Sequence, residues 1–358
     1  MRDFVFHSPT RILFGKGQIA GIAKEVPEQA RVLLLAGSGS IRNNGVYAQV
    51  QAALGPRLTG EVWGIEPNPD LTSVLGALDR ARETNADFLL AVGGGSVVDA
   101  AKAVAGLART EGEPWSILAK GGRFAGALPL GVVMTAPGTG SESNASAALS
   151  QRATQQKVVF TNALCFPRFA VLDPETTYSL PPRQVANGLV DAFVHVLEQY
   201  LTFPAFAALT DRLAEAVLLT LLEQGPLALS QPNDYAVRAN VMWAATLALN
   251  GLVGAGVPQD WTTHHIGHEL TALFGIDHAR TLAAVLPALL GVRRQQKAEK
   301  LLQYGERVLG VREGSTEARI DRTIAKTAAF FEALGVPATL SAYELAGDTS
   351  AVVVAKLK

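Results

Sequence analysis

Five of the six histidines of this chain fall in two short stretches, and an aspartate stands beside the first of them. Asp191 and His195, in "DAFVH", are spaced i, i+4, so on a helix both side chains project from one face, about 5–6 Å apart at Cβ. The second stretch, "HHIGHELTALFGIDH", holds the other four: His264, His265, His268 and His278. One carboxylate and three imidazoles form a ligand set that suits a divalent first-row metal, and both Zn²⁺ and Fe²⁺ are compatible with it.

The alternative is that these residues are ordinary surface groups, because an Asp/His pair one turn apart is more often a surface hydrogen bond than half of a metal site. The expected burial of Asp191 favours a metal site over a surface hydrogen bond. Asp191 lies on the apolar face of "LVDAFVHVLEQYL", where a carboxylate without a cation is costly. His264 and His268 share i, i+4 spacing, and His278 can turn back from the end of that helix. Spacing alone leaves open which of His264, His265 and His268 binds the metal.

The elements that must position these side chains are of two kinds. In the first half of the chain, continuous apolar runs alternate with helical patterns, and most of these runs end in loops rich in glycine, serine and threonine. The strand-like runs are 31–37, 86–96, 128–140 and 168–174, and the helical patterns are 72–85 and 97–108. Apolar strands separated by helices predict a parallel sheet covered on both faces, with ligands bound at the carboxyl ends of its strands.

The second half of the chain has an almost entirely helical pattern. Pro181 and Pro182 mark a helix start, and helical periodicity continues from about residue 183. The one later strand-like run is "AVVVAKL" near the end. The sequence therefore predicts an α/β N-terminal dinucleotide-binding domain with a parallel sheet, residues 1–177, followed by an all-α C-terminal domain, residues 178–358.

Two glycine loops indicate a nucleotide. The sequence "AVGGGSVVDAAKAV" places Gly93–Ser96 between a strand and a helix, where glycines allow close approach and the helix N-terminus attracts a pyrophosphate. The loop at 36–45 lacks a carboxylate for a ribose diol. It offers Ser38, Ser40 and Arg42, which favour the 2′-phosphate of NADP(H) over NAD(H). The alternative for both loops is a plain turn without a ligand.

Composition narrows the classes of function. The formal net charge is −1 and basic residues are scattered, so neither nucleic acid nor an anionic membrane is expected as a partner. The single cysteine, Cys165, excludes an intrachain disulfide and fits a reducing, cytoplasmic location. The N-terminus lacks the apolar core of a signal peptide, and no apolar run reaches the roughly 18 residues of a membrane span.

The same motifs resemble the iron-containing (group III) alcohol dehydrogenase family over nearly the whole chain. The similarity is strongest to the branch of butanol-dehydrogenase-like, NADPH-dependent aldehyde reductases of bacteria. The segments that carry it are "FGKGQ" (14–18), "EPNPD" (66–70), "AVGGGSVVDAAKAVA" (91–105), "PGTGSESN" (137–144), "VLDPETTYSLPP" (171–182), "GLVDAFVHVLEQYLT" (188–202) and the histidine segment at 264–279.

The resemblance implies a homodimeric NADP(H)-dependent alcohol dehydrogenase or aldehyde reductase that holds one divalent metal, Fe²⁺ or Zn²⁺, and acts on short- to medium-chain aldehydes or alcohols. The metal ligands that it implies are Asp191, His195, His264 and His278. His268 would lie near the nicotinamide. The implied cofactor contacts are Gly37, Ser38, Gly39, Ser40, Asn68, Gly94, Gly95, Ser96, Asp99, Thr135, Thr139 and Lys157. From the residues alone, Asp99 and Lys157 would instead be expected at the surface.

The expected chemistry is hydride transfer between a nicotinamide and a carbonyl carbon, with the metal as Lewis acid. His268, one helical turn from His264, is the candidate proton relay. The main alternative is a sugar-phosphate cyclase of the dehydroquinate-synthase type, which resembles this architecture and also holds a nucleotide and a metal. Such an enzyme binds strongly anionic substrates, whereas the stretch 183–280 is poor in lysine and its metal segments lack basic clusters, which favours the dehydrogenase.

Overall fold

The computed structural model describes residues 1–345 and 348–357. The chain divides into two compact units: Ser8–Leu180, and Pro181–Lys358 together with Met1–His7. The break between the two units falls after Leu180, three residues beyond the position that the sequence analysis expects.

The first seven residues belong to the helical unit, not to the α/β domain where the sequence analysis places them. The Arg2 amide donates a hydrogen bond to the Gly256 carbonyl at 2.9 Å, and the Arg2 guanidinium lies 5.1 Å from the centroid of the Phe203 ring. These contacts join residues that are more than two hundred positions apart, so no local pattern in the sequence reveals them.

The α/β unit, all of which is described, contains eight strands. Their bounds are β1 Arg11–Phe14, β2 Val32–Ala36, β3 Leu58–Val62, β4 Phe88–Gly94, β5 Leu130–Ala136, β6 Ser146–Gln151, β7 Gln156–Thr161 and β8 Phe169–Leu172. Six of them form a parallel sheet in the order β1-β8-β5-β4-β2-β3, and β6 and β7 form a separate antiparallel hairpin. The parallel sheet confirms the fold class predicted for this half.

The helices of the same unit follow the strands that they connect. Their bounds are α1 Ile22–Glu25, α2 Ser40–Asn43, α3 Val46–Leu54, α4 Leu71–Glu83, α5 Gly95–Leu107 and α6 Pro114–Ala119. The predicted strands correspond to β2, β4, β5 and β8, and the predicted helices to α4 and α5. Strands β1 and β3, which form the two edges of the sheet, and the β6–β7 hairpin were not predicted.

The centre of the sheet is buried on both faces. All five residues of β2 are fully buried, as are four consecutive residues of β4, from Leu89 to Val92. Helices that cover both faces leave no solvent-facing position in these strands, which explains their continuous apolar sequences. Close packing also constrains Gly131 on β5, because a Cβ atom there would lie 2.2 Å from the Phe169 ring on β8.

The helical unit contains the remaining helices. Their bounds are α7 Pro182–Tyr200, α8 Ala208–Ser230, α9 Tyr235–Ala248, α10 Thr262–Phe274, α11 His278–Val292, α12 Ala298–Arg307, α13 Thr316–Ala333 and α14 Thr349–Leu357. As predicted, α7 begins at Pro182, with Pro181 as its N-cap residue. The prediction of a strand at "AVVVAKL" is wrong, because this segment lies in helix α14. Val353 packs there in a buried cluster with Leu270 and Val285.

Helix α8 has the composition of an apolar helix. Among the described helices it is the one whose length and composition would allow it to cross a membrane, and 39% of its most apolar 18-residue window is buried within the chain. It packs against α7 and α9. Its Glu215 is buried and pairs with Arg307 at 3.0 Å. The Arg307 side chain is 38% exposed, so the buried carboxylate of α8 pairs with a cation at the edge of the unit.

Candidate metal centre and nucleotide loops

Helix α7 presents the first two candidate ligands. Asp191 and His195 are each 5% exposed, and they lie one turn apart among apolar residues, as the sequence predicts. The His195 Nε2 atom lies 3.7 Å from Asp191 Oδ1. This separation is too long for a hydrogen bond but suits two atoms that bind the same ion.

Two other helices bring the remaining candidates to the same oxygen. His264 lies in the first turn of α10, and His278 is the first residue of α11. The His278 Nε2 atom lies 3.8 Å from Asp191 Oδ1, and potential ligand atoms of Asp191, His195 and His264 all lie within 4.8 Å of one another. The structure thus brings together the four residues that the family resemblance implies, and of the three histidines that spacing left open, His264 is the one grouped with Asp191 and His195.

The donor set fits a divalent cation. Asp191 Oδ1 is buried and accepts no hydrogen bond from any described residue. A buried carboxylate oxygen in that state is unfavourable by several kcal/mol, of the order of 2–7 kcal/mol for a polar group, unless a cation compensates it. One carboxylate and three imidazoles would provide four protein ligands, as in many zinc and iron sites.

Glu198 contacts the candidate ligand His264, and the sequence alone did not single it out. One carboxylate oxygen contacts His264 Nδ1, and the other accepts a hydrogen bond from the Thr263 amide at 2.6 Å. A carboxylate on Nδ1 fixes the tautomer that leaves Nε2 for a metal. Burial raises the pKa of Glu198 to about 7, and the hydrogen bonds from Thr263 oppose that rise. The available signal was its position seven residues after Asp191, on the same apolar face.

Asp277 orients the start of α11, whose first residue is His278. Its carboxylate accepts hydrogen bonds from Arg183 Nε and Asn187 Nδ2, both at 2.9 Å, and both donors lie on α7. Asp277 is the N-cap residue of α11, yet among the described residues its side chain caps no amide of that helix. The carboxylate instead ties the start of α11 to the helix that carries Asp191, which places His278 beside its partner ligands.

Two other side chains, Trp261 and His268, lie beside the cluster. The Trp261 ring lies edge-on to His264, with 5.2 Å between centroids, so it shields one side of the cluster. The His268 ring is partly exposed and lies 4.9 Å from His278 and 6.0 Å from His264, adjacent to the cluster. His265 is exposed on the other side of α10.

In the α/β unit, the glycine loops lie at the carboxyl ends of neighbouring strands. Gly37–Ser40 follows β2, Gly94–Ser96 joins β4 to α5, and Thr135 and Thr139 lie at the end of β5 and in the loop after it. These strands are adjacent in the sheet, so their loops share one edge. No side chain among the described residues caps the start of α5, which leaves its first amides available to an anion. Gly39 has a φ of 104°, which favours glycine.

The α5 start is packed closely against the loop after β5. A Cβ atom on Gly95 would lie 2.3 Å from Thr139 Oγ1, so only glycine fits there. Asn68 has a φ of 52°, and its backbone N–H donates a hydrogen bond to Ser96 Oγ at 3.3 Å. The Lys157 ammonium donates to Asn68 Oδ1 at 2.8 Å. The structure therefore brings Asn68, Ser96 and Lys157 together, as the implied cofactor contacts require.

Lys157 and Asp99 are each 9% exposed, so the surface position expected from the residues alone is wrong. Lys157 lies on β7, in the hairpin that the sequence analysis did not predict. The Asp99 carboxylate accepts hydrogen bonds from Ser141 Oγ at 2.6 Å and from the Ala148 amide at 3.0 Å. Asp99 thus joins α5 to Ser141 and to β6, whereas Lys157 joins β7 to Asn68.

Arg42 lies just after the first glycine loop. Its guanidinium carbon is 3.8 Å from the centroid of the Trp63 ring, a cation–π contact. The Trp63 indole N–H donates to Glu61 at 2.8 Å, and Tyr47 packs edge-on against the same ring. These contacts hold the exposed guanidinium in one place beside the carboxyl end of β3.

Both halves of the chain match models of one family. Residues 9–174 match the model described as iron-containing alcohol dehydrogenase, and residues 185–356 match the C-terminal model of the Fe-containing alcohol dehydrogenase family. The NADPH-dependent aldehyde reductase YqhD of Escherichia coli (strain K12) is 55% identical over 361 residues, which cover 100% of this chain and 93% of that protein. The probable NADH-dependent butanol dehydrogenase 1 of Bacillus subtilis is 36% identical over 96% of this chain and 90% of that protein.

Solved structures agree with these matches. A crystal structure of Escherichia coli K-12 YqhD has a TM-score of 0.98 and 55% identity, and covers 99% of this chain and 92% of that chain. The NADH-dependent butanol dehydrogenase A of Thermotoga maritima has a TM-score of 0.95 and 34% identity, covering 100% of this chain and 90% of that chain. The chain therefore belongs to the iron-containing alcohol dehydrogenase family.

Proposed function

We propose that this protein is a metal-dependent, NADP(H)-linked alcohol dehydrogenase that reduces short- to medium-chain aldehydes. The observation that carries the proposal is the convergence of two imidazole Nε2 atoms on one buried oxygen of Asp191, at 3.7 and 3.8 Å. Family membership and 55% identity to a protein named as an NADPH-dependent aldehyde reductase support the same reaction.

Asp191, His195, His264 and His278 would hold one Fe²⁺ or Zn²⁺ ion. When bound, the ion polarises a carbonyl group as a Lewis acid and the nicotinamide supplies the hydride. The residues of the chain prepare that step. Asp191 provides the single negative charge among the ligands, Glu198 fixes the tautomer of His264, and Trp261 limits the access of water to one side of the cluster.

The proposed cofactor contacts are Gly37, Ser38, Gly39, Ser40, Asn68, Gly94, Gly95, Ser96, Asp99, Thr135, Thr139 and Lys157. The uncapped start of α5 supports a pyrophosphate at Gly94–Ser96. Relatives are named both as NADPH-dependent and as NADH-dependent, so the choice between cofactors must rest on residues of this chain. Arg42, held against Trp63, supports NADP(H), because a guanidinium pairs well with a 2′-phosphate.

The reaction and the metal can be tested in one preparation. We expect about one iron or zinc ion per chain. Removing it with a chelator should reduce NADPH oxidation with butanal to near background, and adding back a divalent metal should restore the rate. NADPH should support a higher kcat/KM than NADH. Full activity in metal-free protein would contradict the proposal, and a sugar-phosphate cyclase would return its cofactor without net oxidation.

His268 is the proposed proton relay, because its ring lies 4.9 Å from His278 and is partly exposed. Replacing His268 with Gln should lower kcat by roughly 10²-fold, with little change in the KM for the aldehyde, because a general acid acts in the transition state. The matched control is His265→Gln, on the exposed side of the same helix. If His268→Gln retained full kcat between about pH 6 and 9, the relay would be excluded.

We infer that the working form is a homodimer in the cytoplasm. Three consecutive apolar residues of the N-terminal segment, Phe4, Val5 and Phe6, are 51%, 96% and 46% exposed, a surface that a second copy of the chain could cover. Sedimentation should give twice the chain mass, and a monomer at micromolar concentration would contradict the dimer.

The lone Cys165 is buried, and burial raises the pKa of its thiol to about 11, which keeps it unreactive.

A further inference from the structure

Lys102 is a fully buried lysine on α5, at 0% exposure. Its ammonium donates three hydrogen bonds: to the Ser146 carbonyl at 2.7 Å, to Ser141 Oγ at 2.8 Å and to Asn144 Oδ1 at 3.1 Å. Two of the acceptors, Ser141 and Asn144, belong to the loop between β5 and β6, and Ser146 is the first residue of β6. An ammonium has three donors, so these acceptors satisfy the whole group.

The same helix holds the loop through a second charged side chain. Asp99, three residues before Lys102, accepts from Ser141 Oγ at 2.6 Å and from the Ala148 amide at 3.0 Å. Ser141 therefore bridges the carboxylate and the ammonium. Burial lowers the pKa of Lys102 to about 8, and Asp99 opposes that shift, so the lysine is mostly charged at neutral pH.

This arrangement is not explained by stability alone. Burying charged groups is expensive, and well-packed apolar residues often replace them without loss of stability. The Asp99 carboxylate and the Lys102 ammonium both contact Ser141 Oγ, so a hydroxyl joins them. Buried charged groups joined in this way can specify one conformation of the segments that they connect. Here the joined segments are α5, whose first turn is the proposed pyrophosphate seat, and the loop that carries Thr139.

The path from Lys102 to that seat is short. The Ser141 amide donates to Thr139 Oγ1 at 3.1 Å, and the Asn144 side-chain amide donates to the Gly140 carbonyl at 2.9 Å. Thr139 in turn packs directly against Gly95, because a Cβ atom built on Gly95 would lie only 2.3 Å from Thr139 Oγ1. A loop released from Lys102 would therefore shift Thr139 relative to the first turn of α5.

We propose that Lys102 is a positioning residue of the nucleotide site, which fixes the loop of residues 137–146 against α5 so that Thr139 and the first turn of the helix form one rigid seat for an anion. The inference rests on the proposed function for the identity of that anion, the pyrophosphate of NADP(H).

The test compares two buried lysines. Lys102→Met keeps an unbranched side chain that is one atom shorter, and it removes the charged nitrogen. Lys300→Met is the matched control, because Lys300 is 3% exposed and pairs with Asp211 at 2.9 Å in the helical unit, among none of the proposed cofactor contacts. Cofactor affinity is measured by fluorescence titration with NADPH, loop order by hydrogen exchange of the amides at 139–146, and the metal content of each variant is determined in parallel.

We expect Lys102→Met to raise the Kd for NADPH by roughly 10-fold, because small displacements of binding groups have effects of this size or larger. Exchange at 139–146 should accelerate, while metal content stays unchanged. Lys300→Met should lower the melting temperature and leave the Kd within twofold. Equal effects of both variants, or an unchanged Kd and unchanged exchange in Lys102→Met, would overturn the proposal.

A second variant keeps the test decisive if Lys102→Met fails to fold. Ser141→Ala removes only the hydroxyl that bridges Asp99 and Lys102, and it should also raise the Kd for NADPH and accelerate exchange.

Failure of the proposed function has a different signature. In that case the wild-type protein would not bind NADPH at all, whereas the exchange experiment would still show whether Lys102 orders the loop.

Discussion

Asp191→Asn is expected to remove the metal and to lower kcat/KM for aldehyde reduction by roughly 10³-fold, about 4 kcal/mol. Asparagine has nearly the same shape as aspartate, so the helix should be unchanged. The change removes the one negative charge among the four proposed ligands, and three neutral imidazoles bind a divalent ion more weakly. Metal content after dialysis and steady-state rates with NADPH measure the two effects.

In the metal-free protein, the same substitution should not destabilise the fold. Asp191 is 5% exposed and its Oδ1 accepts no hydrogen bond from the described residues, so without a cation the buried carboxylate is unfavourable. Metal-free Asp191→Asn should therefore melt at the same temperature as metal-free wild type or higher. The control is Asp321→Asn, which changes a surface pair with Arg294 and should alter neither metal content nor rate. If Asp191→Asn retained one ion per chain, the assignment of this ligand would be wrong.

The part of the metal site that the sequence predicted depends on helical periodicity. Spacing i, i+4 fixes the relative direction of Asp191 and His195 on α7, because the geometry of one helix turn determines it. The choice among His264, His265 and His268 depends on how α10 is rotated about its axis. Packing against other helices sets that rotation, which left the choice open until the structure placed His264 inside and His265 outside.

Residues joined across long sequence distances were the ones missed. Glu198 looks like one more residue of an amphipathic helix, and its role follows only from contact with His264, 66 positions later. Lys157 lies on β7, which pairs with β6, and β6 packs against α5. Three consecutive valines near the end of the chain favour a strand locally, yet they lie in helix α14, where Val353 packs against Leu270 of α10. Tertiary packing overrides local preference in such short segments.

Glu198→Gln tests whether His264 needs its carboxylate partner. The carboxylate accepts a hydrogen bond from His264 Nδ1–H, so the proton stays on Nδ1 and Nε2 is presented to the metal. A Gln amide could instead donate to Nδ1 and leave the proton on Nε2. Loss of such a partner typically weakens metal binding by about 10–100-fold. We expect a rise of that size in the metal Kd, measured by competition with a chromophoric chelator.

A second buried glutamate of the helical unit provides the matched control. Glu215 is 3% exposed, like Glu198 at 4%, but it pairs with Arg212 and Arg307 and contacts none of the proposed ligands. Glu215→Gln should lower the melting temperature and leave the metal Kd unchanged. With Co²⁺ as the metal, Glu198→Gln should also shift the visible absorption bands, because the ligand field at His264 changes, whereas Glu215→Gln should not. Equal metal affinities in Glu198→Gln and wild type would show that the ligands alone orient His264, and the carboxylate would then serve only to cap Thr263.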